Sequence, residues 1–458
     1  RIIGQLYAKP DPRLPVDLRI IAFILSACNQ PESPNAELFP AAGAENVNPD
    51  THLVLTFTDS PIVGDSGMIR IYDAMSHQIV DSLDLSIPSG PTESRTYGPE
   101  CDYTKIPYDY TRTHMPTNRD TRPGTPSGTA EPTPPDYQLN IIGGFTDAFH
   151  FHPIIVRDST ATIYLHNNMR DYNHSYYITI DEGVLTLPDH SFHGISKEHN
   201  WSFKTKDSAP ASTDTLIVDA NGQGDFNTVQ GALDFIPDFS QKQTVILIQA
   251  GDYEELVYAR NKTNVKIKGA GMDRTRVHYA NNEVFNPHPL TVKTNEWPGT
   301  FPSRRAAFML DNCSDILLED LTIATDLHGQ AEGLLLNGER IALYSVHIIG
   351  SGDALQANGT IYMESCELDG GGDTILGRGS LFAYRSNFRN DGGPFSWVRN
   401  TTGNHGDVFV ECTFAAPDGK KADYGRTKSN HGTAYPDAEF VVINCKVKNI
   451  IPQGWSAI

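Results

Sequence analysis

The chain has 458 residues and a formal net charge of −20 at pH 7. This length favours two domains, and the negative charge argues against nucleic acid as a partner. The six cysteines show no Cys-x-x-Cys or His/Cys ligand spacing, which argues against a structural zinc site.

The N-terminal segment holds a short apolar run, Ile20 to Ala27, that ends at Cys28. The run is too short to span a bilayer, and Leu25-Ser26-Ala27-Cys28 resembles a bacterial lipobox, whose cysteine is lipidated. Residues 1–47 are therefore interpreted as a signal-like segment and a polar tether. This predicts an outer-membrane lipoprotein, periplasmic or at the cell surface, attached through Cys28; a chance apolar patch is the alternative.

Residues 48–205 contain short stretches of alternating apolar and polar residues, such as Tyr176 to Ile180, which predict half-buried strands. Together they resemble a bacterial Ig-like β-sandwich. A Pro/Thr-rich insertion from about Thr92 to Asp136 is predicted to be a long loop. His150 and His152 alternate with phenylalanines, which favours a solvated or interdomain face over a metal site.

The second domain is expected to begin near residue 215, after a linker. Helical spacing predicts a helix over Thr228 to Phe235, with Asp225 or Asn227 as its N-cap. We expect this helix to cover the open N-terminal end of a stack of strands.

Six strand-like segments then follow one pattern, with starts 25, 20, 20, 26 and 33 residues apart. A period of this length indicates a solenoid, in which neighbouring coils stack about 4.8 Å apart. The segments are Leu318 to Ile323, Leu343 to Ile348, Met363 to Leu368, Ala383 to Phe388, Phe409 to Phe414 and Val442 to Val447. Their fourth position, which includes Cys366, Cys412 and Cys445, is predicted to form a buried ladder of small residues rather than disulfides.

Two aspartates, Asp353 and Asp373, lie 20 residues apart within this repeat. One coil of separation places them side by side on one surface. Two carboxyl groups that close cannot both ionise easily, so their pKa values are pushed apart, as an acid and nucleophile pair requires. The alternative is a pair of turn aspartates beside glycines.

Seven motifs occur in a fixed order between about residues 215 and 455: Val218 to Phe226 with Thr228-Val229-Gln230, Gly251 to Glu255, Gln330-Ala331 with Leu334, Gly352 to Leu355, Asp373 to Gly377, Tyr424 to Thr427, and Pro452 to Trp455. Each is weak alone, and the ordered set is a strong signal. In these motifs the chain resembles the pectin methylesterases, carbohydrate esterases of family 8. The resemblance implies a mainly β protein whose residues 215–458 form a right-handed parallel β-helix, preceded by the Ig-like domain.

The resemblance also implies a monomer that hydrolyses the methyl esters of galacturonate in pectin, without a metal or organic cofactor. Asp373 is the implied nucleophile, and Asp353 the general acid and then base. Arg426 is implied to hold Asp373 ionised, and Gln330 to donate to the developing oxyanion.

The chain departs from the family pattern at two places. Gly352 replaces a glutamine, so one oxyanion donor is missing; either Gln330 or a backbone N–H compensates, or the glycine makes room for a decorated substrate. The family's tryptophan after the arginine is also absent, so Trp397 or Tyr424 is expected to contact the sugar. Arg378 and Arg399, among several basic residues, are expected to bind uronate carboxylates or to lie on a solvated face.

Two other functions stay open. A pectate lyase or polygalacturonase would use the same fold, although the Asn-Thr-Asp motif that a polygalacturonase needs is absent. A non-catalytic pectin- or glycan-binding protein would carry Gly352 as the mark of a decayed site.

Overall fold

The computed structural model describes residues 35–92, 128–129, 137–143, 145, 149–166, 169–197, 201–287, 303–400, 402–426, 429–430 and 433–456. Cys28 and nearly all of the Thr92 to Asp136 insertion lie outside these ranges, so both interpretations stay predictions. Among the described residues, no helix has the length and apolarity to cross a bilayer.

The N-terminal domain is a β-sandwich of two sheets around one apolar core. The four-stranded sheet is ordered β1 (Glu37–Phe39), β3 (Leu53–Thr56), β11 (Thr160–Ile163), β10 (Ile154–Arg157). The five-stranded sheet is ordered β2 (Ala44–Val47), β14 (Ser202–Thr205), β12 (Ser175–Ile180), β5 (Met68–Asp73), β6 (Ile79–Asp84). Smaller sheets pair β4 (Ile62–Val63) with β13 (Leu185–Thr186), and β8 (Leu139–Ile141) with β7 (Gly128–Thr129) and β9 (Phe149–His150).

The predicted boundary of this domain requires a correction. Residues 37–47 are not tether, because β1 pairs with β3 and β2 pairs with β14. The Ig-like classification of the sandwich stays a prediction.

The second domain is a parallel β-helix, as predicted, with three ladders of stacked strands. The first ladder contains β15 (Thr215–Val218), β16 (Thr244–Ile248), β19 (Thr263–Lys268), β26 (Ser380–Tyr384), β29 (Asp407–Val410) and β34 (Phe440–Ile443). The second contains β17 (Gly251–Glu254), β20 (Thr275–Tyr279), β24 (Glu367–Gly370), β27 (Asn387–Asn390), β30 (Thr413–Ala415) and β35 (Lys446–Lys448). The third contains β18 (Val257–Arg260), β25 (Ile375–Gly377), β28 (Pro394–Val398), β31 (Asp423–Arg426) and β36 (Trp455–Ser456).

Three long strands connect the ladders: β21 (Phe308–Thr325) and β22 (Leu334–Ile349) run through all three, and β23 (Leu355–Glu364) through the third and first. A hairpin of β32 (Ser429–Asn430) and β33 (Thr433–Ala434) follows β31.

Each predicted strand segment of the repeat is in fact a corner between the first and second ladders. The third residue of every segment has a positive φ, between 48° and 57°: Asp320, Ser345, Ser365, Arg385, Glu411 and Asn444. This left-handed residue turns the chain, and the fourth residue then points inward. Cys366 and Cys412 are buried free thiols, which confirms the predicted ladder, and Cys445 is half-buried at its end.

Helix α1 (Val229–Phe235) packs in the core of the β-helix near its N-terminal end. Its N-cap is Thr228, whose hydroxyl accepts from the Gly231 N–H, so the predicted caps Asp225 and Asn227 are wrong. The Asp50 carboxylate of the sandwich accepts from the backbone N–H groups of Asn227 and Thr228 at 2.9 and 2.8 Å. The two domains therefore share the hydrogen bonds that begin this helix.

His150 and His152 lie on the face between the domains. His150 Nδ1 is 2.7 Å from the Phe285 carbonyl oxygen, and the His152 ring stacks on Phe285 with centroids 4.4 Å apart. The interdomain interpretation of this motif is confirmed.

Asp407 is a buried acid of the β-helix interior with one described side-chain partner, Ser396 Oγ at 2.7 Å. Burial raises the pKa of Asp407 to about 7, and the Ser396 hydrogen bond only partly opposes this. The pKa of Asp407 is higher in the folded than in the unfolded protein. The contribution of Asp407 to the free energy of unfolding is therefore complete near pH 3 and is lost as the pH rises through 7. Asp407→Asn is expected to raise the Tm by about 5 °C at pH 8 and by less at pH 5, measured by calorimetry.

The matched control for this prediction is Asp391→Asn, because Asp391 is exposed. This variant should leave the Tm unchanged at both pH values. An equal Tm gain at pH 5 and pH 8 for Asp407→Asn would contradict the burial of an ionisable acid.

Candidate active site

The third ladder presents one row of side chains on its outer face. Successive coils place in register Tyr258, Met309, Leu335, Gln356, Leu376 and Trp397. The first three are covered by Ile142, Phe145 and Phe149 from the segment around β8 and β9. The N-terminal part of the row is thus buried beneath the first domain. Gln356 and Leu376 are buried as well, and Trp397 is the first partly exposed member of the row.

Asp353 and Asp373 lie beside this row at equivalent positions of neighbouring coils. Each precedes its third-ladder strand by two residues, and Leu355 pairs with Ile375 in the parallel register. The predicted one-coil relationship is therefore observed. The two residues are only 7% and 4% exposed, so their carboxyl groups interact in a medium that screens charge poorly.

Asp373 is held by a two-pronged contact with Arg426. The Arg426 Nε donates to Asp373 Oδ1 at 2.6 Å, and Nη2 contacts the other carboxylate oxygen. Such fork-to-fork pairs fix both the charge and the orientation of a carboxylate.

Trp397 supports this contact from the next coil. The Arg426 and Arg399 guanidinium carbons lie 4.5 and 4.2 Å from the Trp397 ring centroid. The ring is therefore within cation–π distance of both arginines.

The two carboxyl groups differ in their charged neighbours. Burial raises the pKa of Asp353 to about 7; Arg305 opposes the rise, and Glu332 and Asp373 add to it. Burial also raises the pKa of Asp373, and the bidentate Arg426 opposes that rise most strongly. The two contacts from Arg426 therefore favour the ionised form of Asp373 more than the single contact from Arg305 favours that of Asp353.

Two charged residues of the site were missed by the sequence interpretation: Arg305 and Glu332. Arg305 Nη2 is 2.8 Å from Asp353 Oδ2 and 2.7 Å from Glu332 Oε1. Glu332 lies inside the motif of Gln330-Ala331 and Leu334, so a charged residue there was a usable signal. Arg305 had no comparable motif, whereas Arg399 was among the basic residues expected near the site.

The residues predicted to bind the oxyanion or the substrate lie in different places relative to the two aspartates. Gln330 is exposed at the site, with its side-chain oxygen accepting from Arg305. The Arg378 guanidinium lies 5.9 Å from the Tyr435 ring, in the coil beside Arg399. Tyr424 instead packs towards the apolar core, with its ring 5.6 Å from Phe414, so its position gives no support to the predicted sugar contact.

Gly352 does not leave open room for a larger substrate. A Cβ atom at this position would lie 2.6 Å from the Gly329 carbonyl oxygen, which already accepts from the Gly352 N–H. The glycine is therefore required by the close approach of two backbone segments, and the interpretation of Gly352 as substrate space is wrong.

One cluster outside this site has metal-ligand spacing. Within the described ranges, Glu254, His278 and Asp326 bring their ligand atoms within 4.8 Å of one another. Burial lowers the pKa of His278, but hydrogen bonds to Asp252 and Asp326 outweigh it and raise the value to about 9. Without a metal the cluster forms an ion-pair network, to which Arg157 and Arg276 also belong.

Comparison with known proteins adds a family match. Residues 215–457 match the family described as Pectinesterase. Among curated relatives from Arabidopsis thaliana, probable pectinesterase 8 is 26% identical over 235 residues, covering 45% of this chain and 58% of the relative. Putative pectinesterase 14 is 31% identical over 210 residues, covering 44% of this chain and 59% of the relative. The chain thus spans less than two thirds of the length of each.

Solved structures with a similar arrangement include pectin methylesterase from carrot, 20% identical with a TM-score of 0.44, covering 55% of this chain and 79% of that one. Another is Escherichia coli YbhC, 18% identical with a TM-score of 0.45, covering 59% of this chain and 80% of that one.

Proposed function

The chain belongs to the pectinesterase family, and from that membership we propose that its β-helix domain hydrolyses methyl esters of galacturonate residues in pectin. The observation that carries the proposal is the buried pair of Asp353 and Asp373, with Arg426 bound to one member only. An ionised and a protonated carboxyl side by side are the two groups that ester cleavage by a carboxylate requires.

In the first half of the reaction, an oxygen of ionised Asp373 attacks the ester carbonyl carbon of the galacturonate. The developing oxyanion accepts a hydrogen bond from the Gln330 amide. As the C–OCH₃ bond breaks, Asp353 gives its proton to the leaving oxygen, so that methanol departs and an acyl anhydride joins Asp373 to the sugar.

In the second half, ionised Asp353 takes a proton from water, and the resulting hydroxide attacks the anhydride at the sugar's carbonyl carbon. The bond to Asp373 then breaks, which restores the Asp373 carboxylate. Asp353 keeps the proton that it took from water and is ready for the next cycle. The net change is one ester and one water converted to methanol and a galacturonic acid group, which ionises at neutral pH.

A non-catalytic pectin-binding role is less well supported. A decayed site would have no need of two buried carboxyl groups, because an unused buried acid costs stability. The retained fork between Arg426 and Asp373 therefore favours turnover over binding alone. The polymer is proposed to contact the site where Gln330 and Trp397 are accessible, since the first domain covers the N-terminal part of the row.

We further propose that the protein acts as a monomer at the bacterial surface or in the periplasm, anchored through a lipidated Cys28. The lipobox-like sequence before Cys28 supports the anchor. Metabolic labelling with a palmitate analogue, compared between the parent and Cys28→Ala, tests it.

Replacing Asp353 should slow most strongly the hydrolysis of esters whose leaving alcohol needs a proton donor. Asp353→Asn is expected to lower kcat on galacturonate methyl esters by about 10²–10⁴-fold. The loss should be smaller on a trifluoroethyl ester, because that alcohol leaves with less help from a proton donor. Steady-state rates on both esters measure the difference, and an equal loss on both would contradict the role of Asp353 as the acid.

The proposed function itself is tested by titrating acid release at constant pH. Methyl-esterified oligogalacturonates should consume base when the protein is added, and the same oligosaccharides after chemical de-esterification should not. Base consumption on neither substrate would contradict the proposal.

A further inference from the structure

Arg305 contacts two groups of the proposed reaction at once, although it lies two coils before Asp353. Its Nη2 donates to Asp353 Oδ2 at 2.8 Å, and its Nη1 donates to the Gln330 side-chain oxygen. The Arg305 side chain is only 16% exposed, so its hydrogen bond to Asp353 is partly shielded from water, whereas Gln330 is exposed. Arg305 therefore links the acid to the oxyanion donor.

The contact with Arg305 fixes which way the Gln330 amide faces. A guanidinium has N–H donors and no acceptor, so Gln330 must present its oxygen to Arg305 and turn its NH₂ group away. That NH₂ group is the only part of the side chain able to donate to an oxyanion. Arg305 thus selects the amide orientation that the reaction uses.

Glu332 holds Arg305 in place. The Arg305 Nε lies 2.8 and 2.9 Å from the two Glu332 oxygens. Glu332 is fully buried and occupies the position of Asp353 one coil earlier, because Leu334 pairs with Leu355. The site consequently has three carboxyl-bearing residues in consecutive coils: Glu332, Asp353 and Asp373.

The backbone explains why a residue from another coil takes this part. Any side chain at position 352 would meet the Gly329 carbonyl, so Gly352 supplies no donor beside Asp353. We propose that Arg305, held by Glu332, is the positioning residue that fixes Asp353 for proton delivery and Gln330 for oxyanion binding, a role that position 352 does not fill. This inference rests on the proposed esterase function.

Arg305 and Glu332 shift the pKa of Asp353 in opposite directions. Four charged groups face this carboxyl: Arg305, Glu332, Asp373 and Arg399. Beyond them, Glu283 lies 3.9 Å from Arg305, and Arg426 binds Asp373. The Arg305 cation favours ionised Asp353, and the Glu332 anion favours the protonated form, so removing one or the other should move the pH at which the acid is lost in opposite directions.

The test compares Arg305→Gln, Arg305→Lys and Glu332→Gln with the parent, using methanol release from methyl-esterified pectin across pH 4–9. Arg305→Gln is expected to lower kcat by about 10²-fold with little change in KM, and to move the alkaline limb of the profile to higher pH. Glu332→Gln should move that limb to lower pH. Arg305→Lys should recover part of kcat, because it restores the charge without the fork.

A purely structural role would lower activity without moving the limb in opposite directions. An active parent whose alkaline limb stays in place in both Arg305→Gln and Glu332→Gln overturns this inference and leaves the esterase intact. If Arg305→Gln does not fold, the limb of Glu332→Gln decides alone. A parent that releases no methanol overturns the proposed function, and this inference with it.

Discussion

Asp373→Asn is expected to abolish methyl-ester hydrolysis, lowering kcat by about 10⁴-fold or more. The amide cannot attack the ester carbonyl, and the neighbouring Asp353 lacks the two-pronged arginine contact that orients Asp373. Because asparagine has nearly the same shape as aspartate, the fold should persist, and the Tm should stay within a few degrees of the parent. Methanol release and calorimetry on the same sample measure both.

Asp391→Asn is the matched control, because Asp391 is an exposed turn aspartate of the next coil, beside glycines as Asp373 is. It should keep the activity of the parent. Substantial turnover by a well-folded Asp373→Asn protein would show that Asp373 is not the nucleophile.

Arg426→Gln is expected to lower kcat by about 10²–10³-fold, because it removes both contacts to a buried carboxylate. Arg426 is the strongest influence that opposes the burial-driven rise in the pKa of Asp373. Without it, the pKa of Asp373 should rise further, and the nucleophile should be protonated over more of the acid range. The acid limb of the pH–rate profile should therefore move to higher pH.

Arg426→Lys separates charge from geometry. It keeps a cation near Asp373 but loses the fork, so its kcat and acid limb should fall between those of the parent and Arg426→Gln. An acid limb that stays at the parent's position in Arg426→Gln would refute the assignment of the negative charge to Asp373.

Repeat spacing and motif order were enough to predict much of this arrangement. The 20-residue separation of Asp353 and Asp373 equals one coil, so stacking alone predicted that they are neighbours. The inward fourth position was also predicted, but for an incomplete reason. Strand alternation was assumed, whereas a left-handed residue such as Ser365 or Glu411 makes the corner that turns Cys366 or Cys412 inward.

Other features depend on contacts that no local pattern encodes. Arg305 reaches Asp353 across 48 residues, and Asp50 binds the start of α1 across 178. The close approach of Gly352 to Gly329 is a backbone distance between loops. Tyr424 follows the family motif in sequence, yet the register of its strand sends the ring towards the core.

The most direct test of the account follows methanol and viscosity together in one reaction on highly methyl-esterified pectin, with the parent protein and Asp373→Asn side by side. We predict methanol release by the parent with no fall in viscosity, and neither change with Asp373→Asn. A fall in viscosity would indicate cleavage of the polymer chain, as by a lyase or polygalacturonase, and the absence of methanol with the parent would contradict the esterase assignment.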